Sequence, residues 1–251
     1  MKAILGIDVG GSGIKGAIID TKKGKLLTKR YRVPTPSLAN PENIAHTIIK
    51  IIDHFNWKDI VGIGFPSVVK NGVICTAANI DKAFIGIDFE TYLKKKTDCK
   101  IKIINDADAA GIAEMKFGIG KDQRGLVMII TIGTGIGTCL FMNGKIIPNT
   151  ELGHIYLPDN KESELYASDA TRQKLNLNWE EWAYRLNEIL VYYENLFWPD
   201  LFILGGGISK EEEKYMKYLK IRTKIVTAQF QNYAGMIGAA IYAKKSFKNI
   251  E

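Results

Sequence analysis

The chain has 251 residues, 46% of them hydrophobic, enough for one large core or for two lobes sharing a cleft. No apolar run reaches the length that spans a bilayer, and the first residues lack the basic, apolar and small zones of a secretory leader. No membrane association is therefore expected and a cytoplasmic location is, while Cys75, Cys99 and Cys139 match no metal or redox spacing and are expected as reduced thiols. A net charge of +7 suits an anionic partner without naming it, since nucleic acid, membrane headgroups and phosphate polymers would all be drawn to it.

Apolar segments at 3–8, 14–20 and 26–33, separated by Gly10-Gly11-Ser12-Gly13 and Lys22-Lys23-Gly24, predict three strands joined by turns. Pro41-Glu42 opens a helix with Ile44, Ile48, Ile51, Ile52 and Phe55 on one face. Short strands follow at 61–65 and 101–104, then a helix over about 107–117. The pattern restarts with strands at 126–131 and 136–141 around Gly133-Thr134-Gly135. Segment 179–197 is an amphipathic helix carrying Trp182, Leu186, Ile189, Leu190, Tyr193 and Leu196, and 201–204 is a buried strand running into Gly205-Gly206-Gly207. A last helix near 233–244 is rich in small residues. Two rounds of strands leading into helices predict an α/β protein of two similar lobes. The expected division is 1–105 and 106–232, with a helix over about 233–247 packing back on the first lobe.

Three glycine turns stand at strand ends. In DVGGSGIKG, residues 8–16, glycine lets backbone N–H groups approach phosphate oxygens closely and adopts positive φ without penalty. Ser12 and Lys15 add a hydroxyl and a cation, and Asp8 suits a hydrated Mg²⁺ beside the phosphates. TIGTGIG, residues 131–137, is followed by a strand and not a helix, which argues against a dinucleotide turn and for a second phosphate grip. LGGGIS, residues 204–209, is expected to lead into a helix whose N-terminus favours anions. Any one of the three alone is also explained as an ordinary structural turn.

Asn105-Asp106-Ala107-Asp108 lies where a strand gives way to a helix. A carboxylate there is rigidly held and can accept the proton of an attacking alcohol, although one of the two aspartates is needed only as a helix cap. Glu151, His154, Glu164 and Asn105 offer the donors and acceptors a polyol requires, the plain alternative being a surface glutamate and a structural histidine.

Together these residues resemble the ROK sugar kinases, and more closely their polyphosphate glucokinase branch. The likeness runs through GIDVGGSGIKGA (6–17), TAANIDKAFIG (76–86), NDADAAGIAE (105–114), GTGIGTCLF (133–141), PNTELGH (148–154), PDLFILGGGISK (199–210) and AQFQNYAGMIGAA (228–240). The resemblance implies two actin-like (ribonuclease H-like) lobes around a central cleft. It implies Asp106 as catalytic base, and Asn79, Asn105, Glu151, His154 and Glu164 as sugar contacts. Asp8, Gly10, Gly11, Ser12, Lys15, Gly133, Thr134 and Gly135 would hold phosphates, and Gly205 and Gly206 would face a nucleotide if one binds. Lys82, Lys29 and Arg30 are candidates for an extended polyphosphate path. Mg²⁺ is the expected cofactor, held indirectly through Asp8. Many family members carry a zinc-binding cysteine cluster after the ELGH-type run, but 155–163 has no cysteine, so no zinc is expected and His154 is left free for sugar. The family's usual glycine after Phe65-Pro66 is Ser67.

The expected activity is phosphoryl transfer from polyphosphate, or ATP, to the 6-hydroxyl of glucose by a homodimer. The nearest alternative is an ATP-dependent ROK hexokinase acting on glucose or mannose. A sugar-responsive regulator is more distant, because no recognition-helix pattern precedes the first strand, and nucleic acid is not an expected partner.

Overall fold

A computed structural model describes residues 3–78 and 80–248. β1 (Ala3–Gly10) and β2 (Gly13–Asp20) form an antiparallel hairpin around the first glycine turn, in register from Ala3↔Asp20 to Gly10↔Gly13. The stretch expected as one strand over 26–33 is two, β3 (Lys25–Leu26) and β4 (Tyr31–Val33), both paired with β2. The break has a local cause. The Ile18 amide donates to the Thr28 hydroxyl at 3.0 Å, so a side chain replaces a ladder carbonyl and Leu27 turns outward.

α1 (Pro41–His54) begins on the Asn40 side chain, which accepts from the Asn43 amide, with Pro41 in the first turn where an N–H would find no helical partner. Its Ile44, Ile48, Ile51 and Ile52 are buried at the expected spacing. Then come β5 (Ile60–Phe65), a small hairpin of β6 (Val69–Lys70) and β7 (Val73–Ile74), α2 (Phe89–Lys94), β8 (Lys100–Asn105) and α3 (Asp106–Phe117). β5 is buried along its length and lies parallel between β1 and β8, giving the sheet order β3-β2-β1-β5-β8 with β4 also on β2.

The second round holds β9 (Leu126–Ile132), β10 (Ile136–Met142), β11 (Lys145–Ile147), α4 (Ser163–Ala167), α5 (Asp169–Lys174), α6 (Trp179–Phe197), β12 (Leu201–Gly206), α7 (Glu212–Tyr215) and β13 (Ile225–Thr227). Its sheet runs β11-β10-β9-β12-β13, antiparallel up to β9 and parallel beyond it, so each round pairs its strands in the same sequence. α6 starts with a reciprocal capping box between Asn178 and Glu181 and buries Trp182, Leu186, Ile189, Leu190 and Tyr193 against β9 and β12 residues. Leu196, expected on that face, is 56% exposed, because the buried stripe ends at Glu194.

The chain closes with α8 (Ala234–Lys248). Two compact units result: one holds the chain up to Ala113 and again from Tyr233, the other Glu114–Asn232, so the division falls inside α3. α8 packs on β1, β5 and β8 of the first unit. Its small residues are there because backbone meets backbone. A Cβ on Gly62 would stand 2.0 Å from the Ala239 carbonyl oxygen, and one on Gly238 would stand 1.6 Å from that of Ala109. Gly238→Ala is therefore expected to cost on the order of 3 kcal/mol, lowering Tm by about 10 °C. A thermal melt within about 2 °C of wild type would show that α8 does not depend on this close approach.

No helix among the described residues is long and apolar enough to cross a membrane.

Candidate active site

The first glycine turn opens onto a row of side chains crossing the sheet. Register sets Arg32 opposite Lys15, Lys15 opposite Asp8, Asp8 opposite Gly64, and Gly64 opposite Ile104. Two cations directly opposite on adjacent strands repel and cost stability unless an anion lies near. Part of the relief is Asp8, whose Oδ2 is 3.4 Å from the Lys15 Nζ. Burial raises the Asp8 carboxyl above its ordinary value, against the pull of Lys15 and Arg30. Arg32 also donates from Nη2 to the Ser12 carbonyl at 2.5 Å and packs on Gly13, where a Cβ would stand 2.4 Å from its Nε. Thr35 donates to the Gly10 carbonyl at 2.6 Å. Gly11 and Ser12 are exposed, and a Cβ on Gly11 would meet nothing within 4 Å. None of Gly10, Gly11 and Gly13 has a positive φ, so the turn uses glycine for open backbone and not for a left-handed bend. Arg30 and Lys29 are exposed between β3 and β4, with the Arg30 guanidinium 5.7 Å from the Tyr233 ring centre.

Asp106 is the first residue of α3, at the carboxyl end of β8. Its Oδ1 accepts from the Ala107 amide at 2.8 Å, which holds the carboxylate at the helix start. Neither aspartate is the cap. That role belongs to Asn105, whose Oδ1 accepts from the Asp108 amide at 3.0 Å while its Nδ2 donates to the Ser67 carbonyl at 3.2 Å. Asn105, read as a sugar contact, is buried and committed at both ends of its amide. The Ser67 hydroxyl is turned inward and donates to the Thr76 carbonyl at 2.5 Å. Gly64 lies between the two acids: a Cβ there would be 3.8 Å from Asp8 Oδ1 and 3.7 Å from the Asp106 Cα. Strand spacing puts the ends of β1 and β8 about 10 Å apart across it. Asn79 lies outside the described residues, and Lys82 is exposed on a 3-10 turn.

In the second unit, residues 150–154 are pinned onto β10. The Thr138 hydroxyl donates to the Thr150 carbonyl at 2.6 Å, the Leu152 amide donates to the Thr138 hydroxyl at 3.1 Å, and Tyr193 donates to the Leu152 carbonyl at 2.6 Å. Gly153 permits this, because a Cβ there would stand 1.8 Å from the Ile136 carbonyl oxygen. Glu151 and His154 are thus both presented, half-buried, with His154 Nε2 3.7 Å from Glu151 Oε2. His154 is not free as expected: its Nδ1 is 2.8 Å from Oε1 of Glu162, a residue the sequence did not single out. Glu164 accepts from the Ile136 amide at 2.9 Å, its carboxylate filling the space a Gly135 side chain would need. The Gly133 amide is spent on the Gly135 carbonyl at 2.9 Å. Of the second turn, Thr134 is the exposed residue. Burial raises the Glu151 carboxyl, with Glu164 adding to the shift and His154 opposing it.

The third turn differs from expectation. A 3-10 turn, Gly207–Glu211, follows β12, closed by the Ser209 hydroxyl donating to the Gly206 carbonyl at 2.8 Å, and α7 is only four residues long. A helix that short sums too little dipole to attract anions. Gly206 has φ +82, and a Cβ there would stand 2.2 Å from the Ile132 carbonyl oxygen, which explains the residue without a ligand. Beside it a pocket of about 340 Å³ carries Glu211, Glu212 and Glu213 against Lys210 and Lys214, with Thr227 bonded to Glu212.

Two units with matching strand sequence, acids at the carboxyl ends of parallel strands and a cation-braced glycine turn define an actin-like phosphotransferase. The ROK family model matches residues 4–165, and the chain belongs to that family. It is 44% identical to the polyphosphate glucokinase of Mycobacterium tuberculosis over 94% of this chain and 89% of that one. The crystal structure of inorganic polyphosphate/ATP-glucomannokinase from Arthrobacter sp. strain KM superposes with a TM-score of 0.95 at 42% identity, covering 98% of this chain and all of the other. A ROK glucokinase from Streptomyces griseus, in complex with glucose and AMPPNP, shares the fold with a TM-score of 0.82 at 24% identity, over 97% of this chain and 99% of that one.

Proposed function

We propose that this enzyme transfers the terminal phosphoryl group of inorganic polyphosphate to the 6-hydroxyl of glucose, giving glucose 6-phosphate. The observation that carries the reading is the row Arg32–Lys15–Asp8–Gly64, which gathers two cations and an acid beside an open glycine turn and ends next to Asp106. Asp106 accepts the hydroxyl proton as the oxygen attacks phosphorus. Lys15, Arg30, Arg32 and the amides around Gly10, Gly11 and Ser12 neutralise the shortened polyphosphate as it leaves. Lys29, Arg30 and Lys82, all exposed, would carry the rest of the polymer.

Glu151, His154 and Glu164 suit a sugar. Carboxylates accept from hydroxyl groups and repel phosphate, so the acidic set favours the neutral substrate. Asn79 is a sugar contact by family likeness, while Asn105 acts by fixing the start of α3. Asp8 is the carboxylate that would hold Mg²⁺, through water: an acid raised by burial gains from a divalent cation, and Mg²⁺ binds through one or two carboxylates plus phosphate oxygens. Bound there, the ion would supply charge neutralisation at the phosphates.

ATP is the second donor, with Gly205 and Gly206 toward its nucleoside. Three carboxylates against two lysines in the adjoining pocket make it the poorer one. The enzyme acts in the cytoplasm as a homodimer, for which Tyr184, Leu196 and Trp198, each more than half exposed, supply apolar surface. The test is a coupled assay of glucose 6-phosphate with polyphosphate, ATP and GTP at matched phosphate, then with mannose and N-acetylmannosamine replacing glucose. Polyphosphate is expected to give a kcat/KM at least about tenfold above ATP. Product from ATP alone overturns the donor assignment, and no product from any donor overturns the enzyme.

A further inference from the structure

His154 holds one nitrogen against Glu162, outside the group of residues expected to touch sugar. The short segment that brings Glu162 there is a built structure. The Ser163 amide donates to the Ile155 carbonyl at 2.9 Å and the Leu157 amide to the Lys161 carbonyl at 2.9 Å, while Tyr156 and Glu162 form an antiparallel bridge. Asn160 turns the chain with φ +63, and Leu157 is buried as the anchor. The hairpin returns on itself so that residue 162 faces residue 154.

We propose that Glu162 is the positioning residue of the sugar site, fixing the tautomer and ring orientation of His154 so that its Nε2 faces Glu151. The proposal rests on the sugar-binding role given to His154 above. An ionised carboxylate only accepts hydrogen bonds, so the 2.8 Å contact puts the proton on Nδ1. The other nitrogen then lies 3.7 Å from Glu151 Oε2, too far for a direct hydrogen bond. Two neighbouring sugar hydroxyls seated beside both would donate one hydrogen bond to the Glu151 carboxylate and one to Nε2. The ring is 32% exposed and Glu151 35%, so a ligand reaches them.

Three carboxylates face the imidazole: Glu162 from the hairpin end, Glu151 from its own turn and Glu164 from α4. Burial works against charging the ring, but the Glu162 bond and these charges together raise the His154 pKa above its ordinary value. Removing the Glu162 charge therefore lowers it, and the imidazolium form is lost at a lower pH.

The experiment is Glu162→Gln, with Glu162→Asp as the conservative variant. Glu162→Gln is expected to raise the glucose KM about tenfold or more with the polyphosphate KM unchanged. The limb of the pH profile of kcat/KM for glucose that reports His154 moves to lower pH, and Glu162→Asp recovers part of both effects. The chain has three histidines, so ¹⁵N spectra resolve His154 and report whether Nδ1–H remains the dominant tautomer, with or without turnover. An unchanged tautomer and pH profile in Glu162→Gln overturns the proposal. So does an equal rise in both KM values with a lowered Tm, which marks a purely structural hairpin. Glucose 6-phosphate failing to form in the wild type while the tautomer shifts in Glu162→Gln would instead sink the kinase reading alone.

Discussion

Asp106→Asn is expected to lower kcat on the order of 100-fold or more while the glucose KM stays within about threefold. The substitution keeps the size of the side chain and an amide oxygen that can still accept from the Ala107 amide, as Asp106 Oδ1 does at 2.8 Å. What it removes is the basic oxygen that takes the hydroxyl proton. Stability should therefore hold, and the loss should appear in turnover. Its neighbour makes the control. Asn105→Ala strips the acceptor from the Asp108 amide and the donor from the Ser67 carbonyl, both in buried surroundings. That variant should lose about 2 kcal/mol of stability and need not alter the chemistry of the base. Steady-state kinetics beside urea melts separate the two. Near-normal kcat in Asp106→Asn would remove the base from the mechanism.

What the sequence made legible was whatever is written locally. α6 matches its predicted limits because a long 3.6-residue stripe coincides with a capping box, Asn178 to Glu181, and with Pro199 just past its end. The first glycine turn was recognisable because Asp8, three glycines, Ser12 and Lys15 lie within eight residues. The small residues of α8 were visible too, although only the structure explains them, through carbonyl oxygens of α8 pressed against Gly62 and of Ala109 pressed against Gly238.

Contacts set by register or by tertiary return were not legible. Arg32 became part of the first turn because β4 pairs with β2 so as to place it opposite Lys15, and nothing within 26–33 marks that alignment. Glu162 reaches His154 only after a hairpin folds back across eight positions. The exchange of roles between Asn105 and the two aspartates has the same origin. Any of the three chemistries caps a helix, and geometry alone chose the asparagine. The third turn failed for a different reason: the glycines announced a turn, but the helix after it stops at four residues, so the dipole argument had nothing to act through.

Arg32→Ala should raise the half-saturating concentration of polyphosphate roughly 10- to 100-fold at low salt, with the glucose KM unchanged. A charge-assisted hydrogen bond is worth about 1.5–3 kcal/mol, which converts to that range. Arg32 is exposed, so screening should shrink the effect as salt rises toward about 0.5 M. Its Nη2 bond to the Ser12 carbonyl uses one edge of the guanidinium and leaves N–H groups for phosphate. Arg32→Lys restores charge without the planar fork and should recover only part of the affinity. The geometry offers an independent check. A methyl at position 13 would collide with the Arg32 guanidinium, so Gly13→Ala should displace it and raise the polyphosphate KM without touching either cation chemically. The repulsion between opposed Lys15 and Arg32 also predicts a sign for stability: Arg32→Ala should leave the melting temperature unchanged or slightly higher, since an unfavourable pair is removed. A variant that binds polyphosphate normally, or that loses stability instead of affinity, would show that Arg32 braces the turn and takes no part in holding the donor.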